Sequence, residues 1–576
     1  MILKALYDYY QKHENELPPL GTELKEIGFV LVLDKEGNFL RFEDNRTENK
    51  KNAKGYLVKQ SVNRSSGAVA NYLYDNSEYV LGYSTECKNK EKLHQKHSLF
   101  IKQLENAAEE FPFDTALKAV NGFYSQDYNY RMEAIIRDPL WPEIIKNLDK
   151  KYSNFSFRLQ GEKDILAERS DLFPIKSGEF PNGRCLITGK IDEIVDLTSA
   201  TMIPGSQAIA KLVAFQVKSG YDSYGKEQGR NAPIGKTAEF CYTTALKSML
   251  AQGSRHKFGL GDRTFVFWTS SDSEEGKSME MEFNAIMNID SSDKEEGPEN
   301  VEGMRKTFAS IYSGVKELSS DDRFYVLGMS PNSARIAVVH WTDLPLKEFS
   351  GNIIRHFDDM EIVDIRKEKK PYNGVRQILS AITRGGKVSD STPNLPEAIA
   401  NSIFHGSSYP FAVFAACIRR LKSEGNVSVS RAAILKGFLN RKYRNITNKI
   451  TFMLDTTNTT PSYLCGRLFA VIEKMQQDAN NINSVKDSYL SGAASTPGLI
   501  FPRLLKLSTH YGEKLTKGRE IFFNRLIQEI MGNLKNEFPR RLDLEDQGRF
   551  FLGYYHQMAD FFRPSTEIKG TGEGNE

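Results

Sequence analysis

The hydrophobic pattern of the chain changes near residue 365, and this change constrains the fold more than any other feature. Before that point, short runs of β-branched and aromatic residues recur between turn formers, as in RTFVFWTS at 263–270, which predicts strands among helices. After it, apolar residues recur only at helical spacing. We therefore expect an α+β fold, with a mixed N-terminal α+β region followed by a C-terminal antiparallel helical bundle.

The individual elements are readable from local patterns. A short amphipathic helix is predicted at 2–12, before strand runs in GFVLVLDKEGNFLRFED (turning at Glu36 and Gly37), YVLGYS, RCLITGKIDEIVDL, KLVAFQV and the hairpin RFYVLGMSPNSARIAVVHW. Pro331 and Asn332 are expected in the turn of that hairpin. Helical periodicities follow at 396–424, 428–445, 461–480, 497–514, 517–533 and 544–563.

A chain of 576 residues exceeds what one hydrophobic core usually serves, so several domains are expected. The stretch RGGKVSDSTPNLP at 384–396 has the composition of a linker. We divide the chain into an N-terminal α+β region (1–365), a basic helical segment with the linker (366–452) and a C-terminal helical bundle (453–576).

Positive charge is concentrated in one part of the chain. The net charge is only +3, but residues 366–450 hold 16 Lys and Arg against 4 Asp and Glu. A shorter stretch, 46–64, holds six basic residues and one acidic residue. Accumulated charge of one sign repels itself unless phosphates neutralise it, so the longer run favours nucleic-acid binding, while a solvated surface remains open for the shorter one.

The remaining composition excludes several classes of protein. The five cysteines are far apart without a CxxC pair, which argues against a structural zinc site and against a secreted disulfide framework. The N-terminus lacks the pattern of a signal peptide, and no run approaches the ~20 apolar residues of a membrane span. We expect a soluble, reduced, cytoplasmic protein without membrane association.

One stretch resembles a phosphate-binding P-loop in its spacing. Gly220, Gly225 and Lys226 follow a strand-like run, but Glu227 occupies the position where a P-loop has the Ser or Thr that holds Mg²⁺. Two large rings, Tyr221 and Tyr224, also lie where the backbone must close around phosphates. We interpret the stretch as an ordered polar loop after a strand.

Two other groups of residues suggest metal chemistry. Asp75, Glu86 and Lys88 appear in the order of D…ExK nucleases, in which two carboxylates hold a metal and a lysine stabilises developing charge. His94 and His97 lie one helical turn apart near Cys87, but lysine-rich neighbours oppose a cation there. We predict neither a metal nor another cofactor, and keep a metal-dependent nuclease as the alternative function.

Seven blocks along the chain resemble, in order, the large subunit of type I-C CRISPR surveillance complexes, the Cascade assemblies. They span nearly the whole sequence: MILKALYDYYQ, NYLYDNSEYVLG (71–82), CLITGK (185–190), IPGSQ (203–207), SYGKEQGRNAPIGKTAEFCYTTAL (223–246), RFYVLGMSPNSARIAV (323–338) and LEDQGRFFLGYYHQ (544–557). The resemblance implies a noncatalytic ribonucleoprotein subunit.

The resemblance also implies partners and a role in antiviral defence. Such a subunit lies near the 5′ handle of the guide RNA and joins the handle-binding subunit, the backbone subunits and the small subunits. It reads a protospacer-adjacent motif in target duplex DNA, supports the R-loop with its displaced strand, and recruits a separate helicase-nuclease. Base pairing reads the sequence, while the protein reads the motif and contacts the backbone.

The resemblance does not specify contact residues, so we choose them by side-chain chemistry. The amides of Asn71 and Asn76 can meet base edges, and the rings of Tyr72 and Tyr74 can stack or wedge. Backbone phosphates are assigned to two groups of cations: Lys50, Lys51, Lys54 and Arg64 near the adjacent motif, and Arg419, Arg420, Arg431, Lys436, Arg441, Lys442 and Arg444 in the basic segment. A buried structural turn remains an alternative for 71–82.

Met453 is predicted to be an internal start. The resemblance implies that type I-C systems make their small subunit from within the large-subunit gene, and Met453 precedes the last four predicted helices in a polar loop. Besides the surveillance subunit and the nuclease, a third possibility stays open, an interaction protein whose basic bundle binds acidic partners.

Overall fold

The structure is a computed structural model whose described residues form two compact units. Unit 1 comprises Met1–Gln252 and Pro331–Ala337, and unit 2 comprises Gly253–Ser330 and Val338–Glu576. Within them the structure describes residues 1–62, 64, 67–86, 89–173, 181–215, 220, 222–260, 262–270, 273–287, 298–313, 322–366, 374–443, 449–482, 484–534 and 537–562.

Unit 1 mixes short strands with helices. Its elements are α1 Ile2–Lys12, β1 Thr22–Glu26, β2 Phe29–Leu33, β3 Phe39–Asp44, β4 Gly55–Lys59, β5 Asp75–Asn76, α2 Ser77–Val80, α3 Lys90–Glu110, α4 Thr115–Ser125, α5 Tyr128–Ile136, α6 Trp141–Lys146, β6 Asn154–Leu159, β7 Asn182–Arg184, β8 Ile191–Glu193 and α7 Lys236–Leu250.

A four-stranded sheet in the order β3-β2-β6-β5 forms the centre of unit 1, and β1–β4 and β7–β8 form separate two-stranded sheets. β2 lies between β3 and the parallel strand β6. Its run FVLVL is buried at every position, the pattern of a strand whose two faces are both covered. The turn from β2 to β3 needs Gly37, which has a φ of 89° and whose added Cβ would lie 2.5 Å from the Ala119 carbonyl oxygen.

Unit 2 is mostly helical. Its elements are β9 Lys257–Leu260, β10 Arg263–Thr269, α8 Glu274–Met287, α9 Pro298–Ser313, β11 Arg323–Asn332, β12 Arg335–Pro345, α10 Leu346–Met360, α11 Val375–Ile382, α12 Leu395–Phe404, α13 Phe411–Glu424, α14 Val429–Lys442, α15 Pro461–Asn480, α16 Ser484–Ala493, α17 Pro497–Gly512, α18 Lys517–Asn533 and α19 Leu544–Phe561. The strands form one sheet in the order β12-β11-β10-β9, and residues 331–337 of that hairpin belong to unit 1.

Two glycines bring α15 and α19 into very close contact. A Cβ added at Gly466 would lie 1.9 Å from the Phe550 carbonyl oxygen, and one at Gly553 would lie 2.1 Å from the Tyr463 carbonyl oxygen. The Tyr463 hydroxyl and His556 Nδ1 are 2.9 Å apart beside this crossing. The two helix backbones therefore approach as closely as they do only because neither glycine carries a side chain.

The predicted α+β fold is confirmed, with small sheets dispersed among helices. The bounds predicted for α15 and α18 match the structure. The single pattern predicted at 396–424 is divided into α12 and α13, because Gly406 has a left-handed φ of 59° and Pro410 precedes the next helix. The helix α16 was not predicted.

Three strand predictions were wrong in detail. YVLGYS begins within the helix α2, whose first turn is capped by the Asn76 side chain accepting from the Glu78 amide. CLITGK forms the turn between β7 and β8. The turn after β11 lies at Ser333, with a φ of 53°, and Pro331 and Asn332 are still in the strand. KLVAFQV lies partly outside the described residues.

The compact units do not coincide with the segments divided at 365 and 452. Residue 365 falls between α10 and α11, and residue 452 falls between α14 and α15, all within unit 2. The predicted linker at 384–396 contains two short 3₁₀ turns, Arg384–Gly386 and Val388–Asp390. Among the described residues, none of the helices is long and apolar enough to cross a membrane.

Candidate nucleic-acid interface

A loop between β3 and β4 presents three of the lysines predicted to bind phosphates. Arg46 and Ala53 form an isolated antiparallel bridge that joins the two ends of the loop. Between and just beyond them, the side chains of Lys50, Lys51 and Lys54 are exposed. We name these three residues the lysine loop.

The contacts of the lysine loop are loose. Lys50 Nζ lies 3.9 Å from a Glu143 carboxylate oxygen, and Lys54 Nζ lies 4.6 Å from the centroid of the Tyr56 ring. An exposed ion pair or cation–π contact of this kind is worth about 1 kcal/mol or less. A phosphate can therefore replace them at little cost.

Arg64 is engaged inside the protein. Its guanidinium pairs with the buried carboxylate of Asp75, donates from Nε to the Val69 carbonyl at 2.8 Å, and stacks 4.2 Å from the Tyr79 ring centroid. Removing a partner from a buried carboxylate is costly. The arrangement favours a structural role for Arg64, and a phosphate contact by it would compete with Asp75.

The tyrosines and Asn71 predicted to meet bases are buried. Asn71 Oδ1 accepts from the Val62 amide at 3.0 Å, and the Tyr72 hydroxyl donates to the Leu172 carbonyl at 2.7 Å. Tyr74 is fully buried. In this conformation none of the three can reach a base, so the alternative of a structural turn is the one that the geometry supports.

Asn76, the second predicted amide, is half-buried and caps the short helix α2. The Asn76 Oδ1 accepts from the Glu78 backbone amide at 3.1 Å, and the Asn76 backbone amide donates to the Asp75 carboxylate. Leu73 nearby has a left-handed φ of 64°, which fixes the turn. Base contacts by the block at 71–76 would require this segment to rearrange.

The carboxylate predicted for the nuclease alternative is already occupied. Asp75 accepts from Arg64 and from the Asn71 amide at 2.8 Å, and burial raises the pKa of Asp75. Glu86 lies in an exposed turn, and Lys88 and Cys87 lie outside the described residues. Within the described part of the chain, no three His, Cys, Asp or Glu side chains are grouped to hold a metal ion.

The paired histidines of α3 have different environments. His97 is buried, its Nδ1 lies 2.7 Å from the Tyr79 carbonyl oxygen, and burial lowers the pKa of His97. His94 is exposed. His97 is therefore a core residue that ties α3 to α2.

Two of the basic residues assigned to phosphates in 366–450 are interior groups of α14. Arg431 donates to the carbonyls of Ala381 and Asn426, both at 2.9 Å, and pairs with the Glu424 carboxylate. Lys436 donates to the carbonyls of Asp358 and Asp359 at 3.0 and 3.1 Å, and burial lowers the pKa of Lys436. Neither side chain reaches the surface that a nucleic acid would contact.

Arg441 is the most completely enclosed cation of that segment. Its side chain has no exposed surface and pairs with Asp359. It also donates to the carbonyls of Ser402 and Ser407 at 2.7 and 2.8 Å, and its guanidinium lies 4.0 Å from the Tyr409 ring centroid. This geometry joins α14, α10 and the loop after α12. The one nitrogen without a hydrogen-bond partner, Nη2, is itself buried, so a phosphate cannot reach the guanidinium in this conformation.

The other four assigned residues differ in exposure. Arg419 is exposed, Arg420 lies 3.5 Å from Glu424, Lys442 pairs with Glu545 across to α19, and Arg444 lies outside the described residues. Counting charges along the sequence overestimated the positive surface here. Arg431, Lys436 and Arg441 instead donate to internal carbonyls, and the two arginines also pair with carboxylates. Phosphate contacts by the exposed members remain a prediction.

A basic helix face that we did not predict lies on α17. Arg503, Lys506 and His510 are exposed and share one face, while Phe501, Leu504, Ser508 and Tyr511 are buried on the other. Lys514, in the turn after the helix, is also exposed. The spacing of three and four residues within the predicted helix was the available signal, and counting charge over 366–450 missed it.

The stretch that resembles a P-loop is a tight turn. The Lys226 amide donates back to the Ser223 carbonyl at 2.9 Å, and a 3₁₀ turn, Gln228–Asn231, follows in place of a phosphate-binding helix. The sequence interpretation as an ordered polar loop is therefore confirmed for the described residues from Asp222 onward.

Met453 lies in the loop that leads into α15, and 38% of its surface is accessible to solvent. Its carbonyl accepts from the Thr451 hydroxyl at 2.6 Å. Helices α15 to α19, including the glycine crossing, all follow it.

Comparison with known proteins places the chain in a class. The model of the family described as CRISPR-associated protein (Cas_Csd1) matches residues 6–562, which is nearly the full length. The chain belongs to this family of type I-C large subunits, as the seven sequence blocks predicted, and is thus a CRISPR Cascade subunit. No curated protein matches the chain.

Proposed function

We propose that this chain is the noncatalytic large subunit of an RNA-guided surveillance complex that recognises the protospacer-adjacent motif in duplex DNA, stabilises the R-loop and recruits a helicase-nuclease. The family match over residues 6–562 carries this proposal. Its partners are the guide RNA near its 5′ handle, the target duplex, the displaced strand and the other subunits. Recruitment of the helicase-nuclease is supported by family membership alone.

Contact with the target duplex is assigned to unit 1, through the lysine loop. Lys50, Lys51 and Lys54 are exposed on a loop whose ends are bridged, so they can approach phosphates without unfolding a strand. Phosphate contacts hold a protein in register on DNA but carry no sequence information. The lysine loop is thus proposed to position the subunit beside the adjacent motif.

Contact with the displaced strand is assigned to the basic face of α17. Arg503 and His510 are separated along the helix axis by about 10 Å, a length that spans neighbouring phosphates of an extended strand. The Arg503 guanidinium also lies 5.5 Å from the Tyr489 ring centroid, so a cation and an aromatic face are adjacent there. This combination is typical of single-strand binding.

The test is the salt dependence of DNA affinity, measured with the assembled complex. Replacing Lys50, Lys51 and Lys54 together by Ala should lower the slope of log affinity against log salt on target duplex by about 2.7, because each lost duplex phosphate contact removes about 0.9. An unchanged slope would show that the lysine loop does not touch DNA.

A second variant tests α17 on the displaced strand. Changing Arg503, Lys506 and Lys514 to Ala should lower the slope by about 2 on a single strand, at about 0.7 for each contact. A matched control removes the same charge from three exposed lysines elsewhere, Lys35, Lys102 and Lys118. If the control lowers the slope equally, only net charge matters and the assignment to α17 is wrong.

We also propose that Met453 starts a separately made small subunit of residues 453–576. The fragment would retain the Gly466 and Gly553 crossing, because both glycines and their contacts follow Met453. It would lose contacts with α13 and α14, such as Phe414 against Gly548 and Lys442 with Glu545. The fragment therefore keeps its central packing and exposes one face of α19 for another partner.

A further inference from the structure

The turn at 223–226 presents a tyrosine entirely to solvent. Tyr224 is 100% exposed, although large aromatic side chains usually bury much of their surface. Ser223 and Lys226 form an isolated antiparallel bridge, and Tyr224 and Gly225 between them have φ values of 53° and 71°. A bulky residue in the left-handed region is strained, and such outliers concentrate at functional sites.

The loop that carries Tyr224 is held rigidly. The Asn231 side-chain amide donates to Asp222 at 3.2 Å and to the carbonyls of Lys226 and Gln228 at 3.1 Å. A Cβ added at Gly229 would lie 2.0 Å from the Val195 carbonyl oxygen, so the base of the loop is packed against the preceding segment. The strain at Tyr224 is therefore imposed by a fixed frame.

A second turn that carries the family resemblance lies beside this loop. The Leu186 amide, in CLITGK, donates to the Pro233 carbonyl at 2.9 Å. Within 182–193 and 222–235, which are fully described, Glu227 is the exposed carboxylate, whereas four cations are exposed: Arg184, Lys190, Lys226 and Arg230. Three more carboxylates of these stretches, Asp192, Glu193 and Asp222, are half-buried, so the formal charge balances while the most exposed charges around Tyr224 are mainly positive.

We propose that Tyr224 is a stacking residue for duplex DNA, inserted at a base step of the adjacent motif, with Lys190 and Lys226 holding the flanking phosphates. This inference rests on the proposed function. An aromatic ring on a rigid tip can unstack a base step, and the surrounding cations bind the backbone on either side. The rigid frame means that the backbone of the tip need not be ordered upon binding.

A protein partner is the other kind of molecule that an exposed tyrosine could contact. The outermost charges favour the polyanion, because the four cations are exposed whereas Asp192 and Asp222 are half-buried and already accept from backbone amides. The tip is also convex and narrow, with nothing within 4 Å of an added Cβ at Gly225, which suits insertion between bases more than a broad interface.

The experiment uses the complete complex with its guide RNA and a target duplex that carries 2-aminopurine beside the adjacent motif. Tyr224→Ala should weaken duplex binding about 5- to 150-fold, the effect of losing one base–aromatic stack. It should also abolish the 2-aminopurine fluorescence change, while Tyr224→Phe preserves both. A duplex already unpaired at that step should restore most of the affinity of Tyr224→Ala.

Two controls separate this inference from folding and from the proposed function. Phe113→Ala removes another exposed aromatic of unit 1, which is 89% accessible, and should change nothing. Tyr224→Gly should raise the melting temperature, because glycine tolerates the left-handed turn, and still weaken DNA binding.

The outcomes are distinct. If the wild-type complex binds target duplex and Tyr224→Ala binds it equally well, the stacking role is wrong and the proposed function stands. If Tyr224→Ala instead prevents subunit assembly or helicase-nuclease binding, Tyr224 is a protein contact and the inference is overturned. If the wild-type complex does not bind target duplex, both fail.

Discussion

Replacing Arg441 by Ala should destabilise unit 2 severely without changing the number of phosphate contacts. The substitution leaves the Asp359 carboxylate without its cation and the Ser402 and Ser407 carbonyls without donors, and it removes the guanidinium from the Tyr409 ring. Breaking a buried ion pair by removing one partner costs about 3–5 kcal/mol. We expect a loss of that size in the free energy of unfolding.

Lys442, the next residue in the chain, provides the matched control. Its side chain is exposed and its pairing with Glu545 is solvated, so Lys442→Ala should leave the unfolding midpoint nearly unchanged. If Lys442 contacts phosphate, its loss lowers the salt slope of DNA binding instead. The two neighbouring substitutions therefore affect different measurements: Arg441→Ala changes the unfolding midpoint, and Lys442→Ala changes the salt slope if Lys442 contacts phosphate.

The assay is urea unfolding of the purified chain followed by tryptophan fluorescence. Of the three tryptophans, Trp268 and Trp341 belong to unit 2, so the signal reports mainly on the unit that contains Arg441. DNA binding is then measured without urea, at a temperature at which the variant is folded. Combining Arg441→Met with Asp359→Asn should recover part of the loss, since no unpaired charge then remains buried.

One result would refute this reasoning. If Arg441→Ala unfolds at the wild-type urea concentration but lowers the salt slope by about 0.9, Arg441 contacts DNA and its interior position is not the relevant one.

Three further predictions concern packing, pH and cleavage, and a fourth concerns gene products. Gly466→Ala should lower the free energy of unfolding by about 3 kcal/mol in the same urea assay, because the added methyl group forces α15 away from α19. Gly532→Ala is the control: nothing lies within 4 Å of its added Cβ, so it should raise the free energy of unfolding by about 0.4–1 kcal/mol. Burial lowers the pKa of His340 to about 4. Because the unfolded chain takes up this proton near pH 6.5, the free energy of unfolding should be highest above pH 6.5 and should fall by up to about 1.4 kcal/mol per pH unit between pH 6.5 and 4. His340→Gln should flatten this decline. The isolated chain should cleave neither DNA nor RNA with Mg²⁺, and cutting that disappears in Glu86→Ala would instead establish the nuclease. Intact-mass measurement of the products of the gene expressed alone should find a second species starting at Met453, and its absence or another start would contradict that assignment.

The sequence was most informative where local chemistry determines structure. The bounds of α15 and α18 followed from apolar spacing, and the turn at Gly37 from its neighbours. The break between α12 and α13 was missed because their apolar positions stay in phase across Gly406. Hydrophobic periodicity alone does not reveal such a break.

The candidate site was harder to predict than the fold, because residue type does not reveal exposure. Arg441 and Lys442 are equivalent in a charge count, yet one is enclosed and the other faces water. Tyr72 was assigned to DNA for its ring and is buried, whereas Tyr224, rejected as part of a P-loop, is fully exposed. Long-range packing decides these differences, and no local pattern encodes it.

The position of the glycine crossing has a genetic consequence. Gly466 and Gly553 both lie after Met453, so if the internal start is used, each of their codons is translated into two proteins from one message. A substitution that suits one product must then also suit the other, in which α13 and α14 no longer cover α19. Selection on this stretch of the gene would then act on two structures at once, and neither could change its central helix pair independently.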